Sequence, residues 1–209
     1  MKKLIYILLI TSLSLLGLVA CEEEPVKEPE DTEIESNSDN ESAFKGTHQI
    51  EIEVKNYGTI YIDLDAESAP LTVSNFIKLV EDGFYDGLTY HRIITGFMIQ
   101  GGDPLGNGSG GSEETITGEF ANNGVDNKLS HTRGAISMAR STDYNSASSQ
   151  FFIVHEDSTF LDGDYAAFGY VTKGMDIVDK ICADTPVQDR NGKVEDNDQP
   201  IIESIKVIK

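Results

Sequence analysis

Cysteine and histidine are scarce in this chain, two and four residues of 209, and basic residues are few, 16 Lys and Arg against 36 Asp and Glu. Each scarcity removes a class of chemistry. His48, His91, His131 and His155 are scattered, with no His-Glu-x-x-His run and no paired cysteines, so no metal site is expected. A formal net charge of -20 repels phosphate backbones and no basic cluster offsets it, which excludes nucleic acid as a partner. No serine stands in a Gly-x-Ser-x-Gly elbow, so a serine nucleophile with a histidine base lacks support. The glycine loop Gly106 to Ser112 lacks the Gly-Lys-Ser/Thr of a phosphate cradle and runs into Glu113 and Glu114, so it reads as a flexible or tightly turning loop. Asp103 and Asp143 stand at no defined spacing for paired-carboxylate chemistry.

The first twenty residues, MKKLIYILLITSLSLLGLVA, carry two lysines and then an apolar run that ends in small residues. This is the pattern of a secretory signal, although the run also has about the length of a short anchor helix. The ending Leu18-Val19-Ala20-Cys21 resembles a bacterial lipobox, in which cleavage precedes a cysteine that then receives lipid. Lipid on Cys21 leaves Cys182 alone, with no intrachain disulfide, and it reads as a small buried hydrophobe. Residues 21–46 form an acidic, polar segment with two prolines, too poor in apolar residues to offset its ordering entropy, and are expected to be a disordered tether rather than a partner-binding tail. The folded domain is placed at 47–209.

From His48 the pattern alternates with period two. HQIEIEVK and TIYIDLD, separated by Asn56-Tyr57-Gly58, predict a hairpin. Pro70 opens a helix with Val73, Phe76, Ile77 and Val80 on one face, closed by Gly83. GMDIVDKICAD predicts a second, short helix, and the remaining apolar segments are short strands. Many strands with two helices imply an antiparallel barrel or sandwich, and periodicity does not choose between them.

One strand candidate is unusual. HRIITGFMIQGGDP sets Arg92 and Gln100 among Ile93, Ile94, Phe97, Met98 and Ile99, and a charge in such a strand is costly unless it is paired or working. With APLTVSNFIKLVEDGFYDGLTYHR, HTRGAISMAR and NSASSQFFIVHEDSTFLDG in chain order, this stretch resembles the cyclophilin family of peptidyl-prolyl cis-trans isomerases from about His48 to Lys209. The resemblance implies a mainly β fold, an eight-stranded antiparallel β-barrel capped by two α-helices.

It also implies an enzyme that needs no cofactor. Arg92 is then the catalytic donor, and Phe97, Met98, Phe152 and Leu161 form the proline pocket. Gln100 and Gln150 are its polar positions, Ala139 and Arg140 the stretch that pairs with substrate backbone, and Gly108 a groove glycine. Phe160 stands where many eukaryotic members carry tryptophan, Tyr165 where they carry histidine, and Arg140 where asparagine is common. The change at Phe160 bears on cyclosporin binding, because the indole N–H donor is gone. The partners expected are unfolded or exported polypeptides containing Xaa-Pro bonds, met by a monomer that lipid on Cys21 holds to a bacterial membrane outside the cytoplasm. The competing reading is a proline-peptide binding module or holdase, for which the pocket alone would serve.

Overall fold

The computed structural model describes residues 44–208, so Cys21, the signal segment and nearly all of the acidic segment lie outside the described residues. Phe44, close to the expected end of that segment, already contacts the domain: its N–H donates to Ser74 Oγ at 2.9 Å.

Eight strands form one antiparallel sheet: β1 (Thr47–Val54), β2 (Gly58–Asp65), β3 (Tyr90–Ile94), β4 (Met98–Gly101), β5 (Ala135–Met138), β6 (Phe151–Val154), β7 (Ala167–Lys173) and β8 (Ile202–Val207), in the order β3-β4-β6-β5-β7-β2-β1-β8. The predicted hairpin is β1–β2, from Thr47 opposite Asp65 to Val54 opposite Gly58, and its turn places Asn56 at φ 65°, a conformation asparagine tolerates better than most residues. The sheet curls without closing into a full barrel. Its edge strands β3 and β8 meet only where they begin, through Tyr90 N–H to the Pro200 carbonyl and Ile202 N–H to the Leu88 carbonyl.

Helix α1 (Pro70–Glu81) starts at the proline that cannot donate a backbone hydrogen bond, and no side chain at Ala69 caps it. The cap comes from far along the chain: the Glu119 carboxylate accepts from Leu71 N–H, Thr72 N–H and Thr72 Oγ1 at 2.7–3.0 Å. The helix buries Val73, Phe76, Ile77 and Val80, the predicted face. Phe76 meets Tyr85, Phe168 and Phe151 at ring separations of 5.0, 5.2 and 5.5 Å, at the centre of the core. Helix α2 (Met175–Asp184) buries Val178, Ile181 and Cys182. Burial pushes the Cys182 thiol up to about 11, so it stays protonated and unreactive at neutral pH.

Two buried histidines give the fold a pH dependence. His131 is fully buried, and burial lowers its pKa even though Asp162 bonds to Nδ1 and opposes the shift. His91 is lowered in the same way by burial, with Arg92 adding to the effect and Asp103 opposing it. A folded-state pKa below the unfolded value means that the unfolded chain binds more protons, so stability is complete above about 6.5 and falls as pH drops below it. The lowered carboxyls of Asp103 and Asp162 act only below their ordinary 3.8. The thermal midpoint should therefore fall between pH 7 and pH 5, and calorimetry that finds it flat over that interval would refute the assignment.

Candidate active site

Strands β3, β4, β6 and β5 sort their residues into two rows. Ile93, Ile99, Ile153 and Ile136 lie opposite one another and are buried in the core. The neighbouring row, Arg92, Gln100, Phe152 and Ser137, is also in register and takes the opposite face. Strict alternation would put Tyr90 beside Arg92, yet Tyr90 is fully buried, its ring 6.2 Å from Phe151. The register slips between Tyr90 and Arg92, and this extra residue lets one strand send tyrosine inward and arginine outward.

A second apolar cluster lies on that outer face: Met98, Ala135, Phe152, Val154 and Leu161, with Phe97, Ala139 and Tyr165 packed against it. Here the surface is hollowed into a cavity of about 500 Å³. Ten of the residues expected at the site line it: Arg92, Phe97, Met98, Gln100, Gly108, Ala139, Arg140, Phe152, Leu161 and Tyr165. Gln150 lines an adjoining cavity of about 350 Å³ that shares Gln100, Gly108, Ala139 and Arg140 with the first. Phe160 lines neither. It is 72% exposed, with its ring tilted against Phe97 at 5.6 Å.

Arg92 is held at two points. Its Nε donates to the Asn191 carbonyl at 2.8 Å and its Nη1 to Gln100 Oε1 at 3.0 Å. Gln100 Nε2 donates in turn to Gln150 Oε1 at 2.9 Å, and Gln150 Nε2 to the Gly110 carbonyl at 2.7 Å. This chain uses two of the five guanidinium N–H groups and leaves the rest available to the cavity. Burial lowers the Arg92 pKa, opposed by Tyr165 and Asp189, but guanidinium titrates so high that the charge persists.

The glycine loop turns tightly. Asp103, itself buried, accepts backbone N–H bonds from Leu105, Asn107 and Gly108 at 2.5–3.0 Å, and Gly108 at φ 89° brings its backbone to the cavity.

Arg140 is placed differently from a free backbone-binding side chain. Its guanidinium lies over the rings of Tyr165, Tyr144 and Phe120 at 4.7, 4.8 and 5.1 Å, and donates to the Asp164 carbonyl at 2.8 and 3.0 Å. It therefore fixes Tyr165 at the cavity wall. His131 bonds to Asp162 and, at 3.0 Å, to Ser137 Oγ, a Ser-His-Asp arrangement in outline. Ser137 and His131 are fully buried and the imidazole lies parallel to Phe152 at 6.0 Å, so the group braces the pocket floor and has no access to substrate.

Asn107, Asn191, Lys193 and His91 also line the cavity. Neither ring nitrogen of His91 has a partner among the described residues. Asn191 and Lys193 come from the turn Asp189 to Val194, where Gly192 at φ 81° presses against the Ile93 backbone. A side chain there would push the turn away from Arg92.

Comparison with known proteins agrees with this geometry. The family described as cyclophilin type peptidyl-prolyl cis-trans isomerase/CLD matches residues 49–207. Peptidyl-prolyl cis-trans isomerase A of Dickeya dadantii is 43% identical over 160 residues, covering 73% of this chain and 80% of that protein. Peptidyl-prolyl cis-trans isomerase B of Bacillus subtilis is 48% identical over 117 residues, 56% of this chain and 78% of that one. Among solved structures, a Cryptosporidium parvum cyclophilin crystallised in the presence of the dipeptide Ala-Pro superposes with a TM-score of 0.68 at 31% identity, covering 77% of this chain and 99% of that one. With the family matched over nearly all of its described domain, the chain belongs to the cyclophilins and is a peptidyl-prolyl cis-trans isomerase.

Proposed function

We propose that the cavity under Arg92 holds the proline ring of an Xaa-Pro peptide, and that Arg92 is the donor that makes the site an isomerase. The observation that carries this is a guanidinium braced from two sides, with unused donors, over an apolar pocket. Rotation about a peptide bond faces a barrier of about 18–20 kcal/mol because amide resonance gives the C–N bond double-bond character. Catalysis needs a site that favours the twisted amide over both planar isomers. Phe97, Met98, Phe152 and Leu161 supply apolar contact for the ring, which needs no charge. As resonance is lost the nitrogen becomes pyramidal and gains a lone pair, and a fixed N–H donor stabilises that change without moving. Gln100 and Gln150 hold Arg92 in place and present amides to the peptide backbone.

In this reading the protein works as a monomer outside the cytoplasm, held to a bacterial membrane by lipid on Cys21, on exported chains that are still folding. The ending Leu18-Val19-Ala20-Cys21 supports the anchor, and the acidic residues that follow support a spacer. A slow proline step prolongs exposure of apolar surface, so an isomerase placed where such chains emerge shortens that interval. Exchange NMR on an Ala-Pro peptide tests the activity, and acceleration by the chain is the expected result. Mass spectrometry of the mature N-terminus tests the location: a diacylglyceryl-modified Cys21 is expected, and an unmodified terminus at another residue would sink that part.

A further inference from the structure

The cavity and its neighbour have a charge unlike the rest of the chain. Arg92, Arg140 and Lys193 contribute to their linings, and no aspartate or glutamate does, although acidic residues outnumber basic ones by 36 to 16 in the sequence. Among the described residues, no carboxylate oxygen lies within 4.0 Å of the side-chain nitrogens of these three cations. Asp189, the acidic residue that acts on Arg92, turns its Oδ1 to the backbone N–H groups of Asn191 and Lys193 at 2.8 and 3.2 Å. Arg140 is fixed by aromatic rings and carbonyls, which hold the group without cancelling its charge. Among the described residues the Lys193 ammonium has neither kind of tie.

A proline ring carries no charge and the reacting amide accounts for Arg92 alone, so pocket chemistry does not explain Arg140 and Lys193, which form no ion pair among the described residues. Charge in a cleft with apolar walls acts more strongly than on an open surface, because the field is focused and water is partly excluded. We propose that the groove selects Xaa-Pro bonds flanked by acidic residues, with Lys193 as the specificity-determining residue. Arg92 is committed to the reacting amide and Arg140 to its aromatic cage, which leaves the Lys193 ammonium to meet a substrate carboxylate. The net negative charge of the chain opposes the approach of acidic peptides, so the preference comes from short-range contact with the cations of the groove.

The inference rests on the isomerase reading of the same groove, and the test separates the two. Three blocked peptides, Glu-Ala-Pro-Glu, Ala-Ala-Pro-Ala and Lys-Ala-Pro-Lys, are compared by exchange NMR with the full chain at low and high salt. At low salt kcat/KM should be about tenfold higher for the glutamate peptide than for the lysine peptide, and the ratio should shrink at high salt. In Lys193→Glu the ratio should fall to one or invert; taking it within a single variant cancels changes common to all peptides. Equal rates on the three peptides at low salt, a lysine preference, or a glutamate preference unchanged in Lys193→Glu each overturn the proposal. Failure to accelerate even the alanine peptide would overturn the activity instead.

Discussion

Arg92→Ala should lower kcat/KM on an Ala-Pro peptide by at least about a hundredfold, the effect expected when a preorganised donor to a developing charge is removed. Peptide affinity should change far less, because Phe97, Met98, Phe152 and Leu161 still wall the cavity. Arg92→Lys should recover little. A lysine is a compact point charge on a flexible stem and cannot occupy Gln100 Oε1 and the Asn191 carbonyl together while aiming further donors at the amide. Exchange NMR gives the rate and peptide titration gives the affinity. Their split distinguishes an isomerase from a binding module: if the alanine variant keeps wild-type exchange, Arg92 is not the donor and the mechanism must be sought elsewhere in the cavity.

The second large effect is on stability. Phe76→Ala removes the ring that meets Tyr85, Phe151 and Phe168 where α1 crosses the sheet, and Phe76 is fully buried. The surrounding aromatics come from separate elements and cannot collapse together into the space, so the loss should be about 3–5 kcal/mol. Denaturant unfolding measures it. A loss below about 1 kcal/mol would mean that the core repacks freely around α1. The variant should keep its active-site chemistry under conditions where it remains folded, since Phe76 belongs to the inner cluster and the cavity to the outer one.

Much of this fold is legible in local patterns because those patterns respond to burial. The β1–β2 hairpin follows from alternation and the start of α1 from Pro70. Four features are not legible, each for a physical reason. The slip between Tyr90 and Arg92 reverses the facing that alternation assigns, and no residue type marks it. The aromatic cage around Arg140 is assembled from Phe120, Tyr144 and Tyr165, which sequence order does not bring together. Asn191 and Lys193 lie in a polar turn with no hydrophobic period, and only the fold carries that turn back to β3, 99 residues away at its contact with Arg92. The open sheet is hidden for a similar reason: periodicity reports which face of a strand is buried and is silent on whether the last strand meets the first.

The turn that holds Arg92 also covers the outer side of β3. Ile93 N–H donates to the Gly192 carbonyl, and Val194 N–H donates to the His91 carbonyl, both within 3.0 Å. An exposed strand edge is a template on which another chain can add itself by main-chain pairing. With its edge occupied at these two bonds, β3 keeps its main-chain groups from pairing with an Xaa-Pro peptide in the neighbouring cavity, so release of the peptide does not have to undo a β-ladder along this strand.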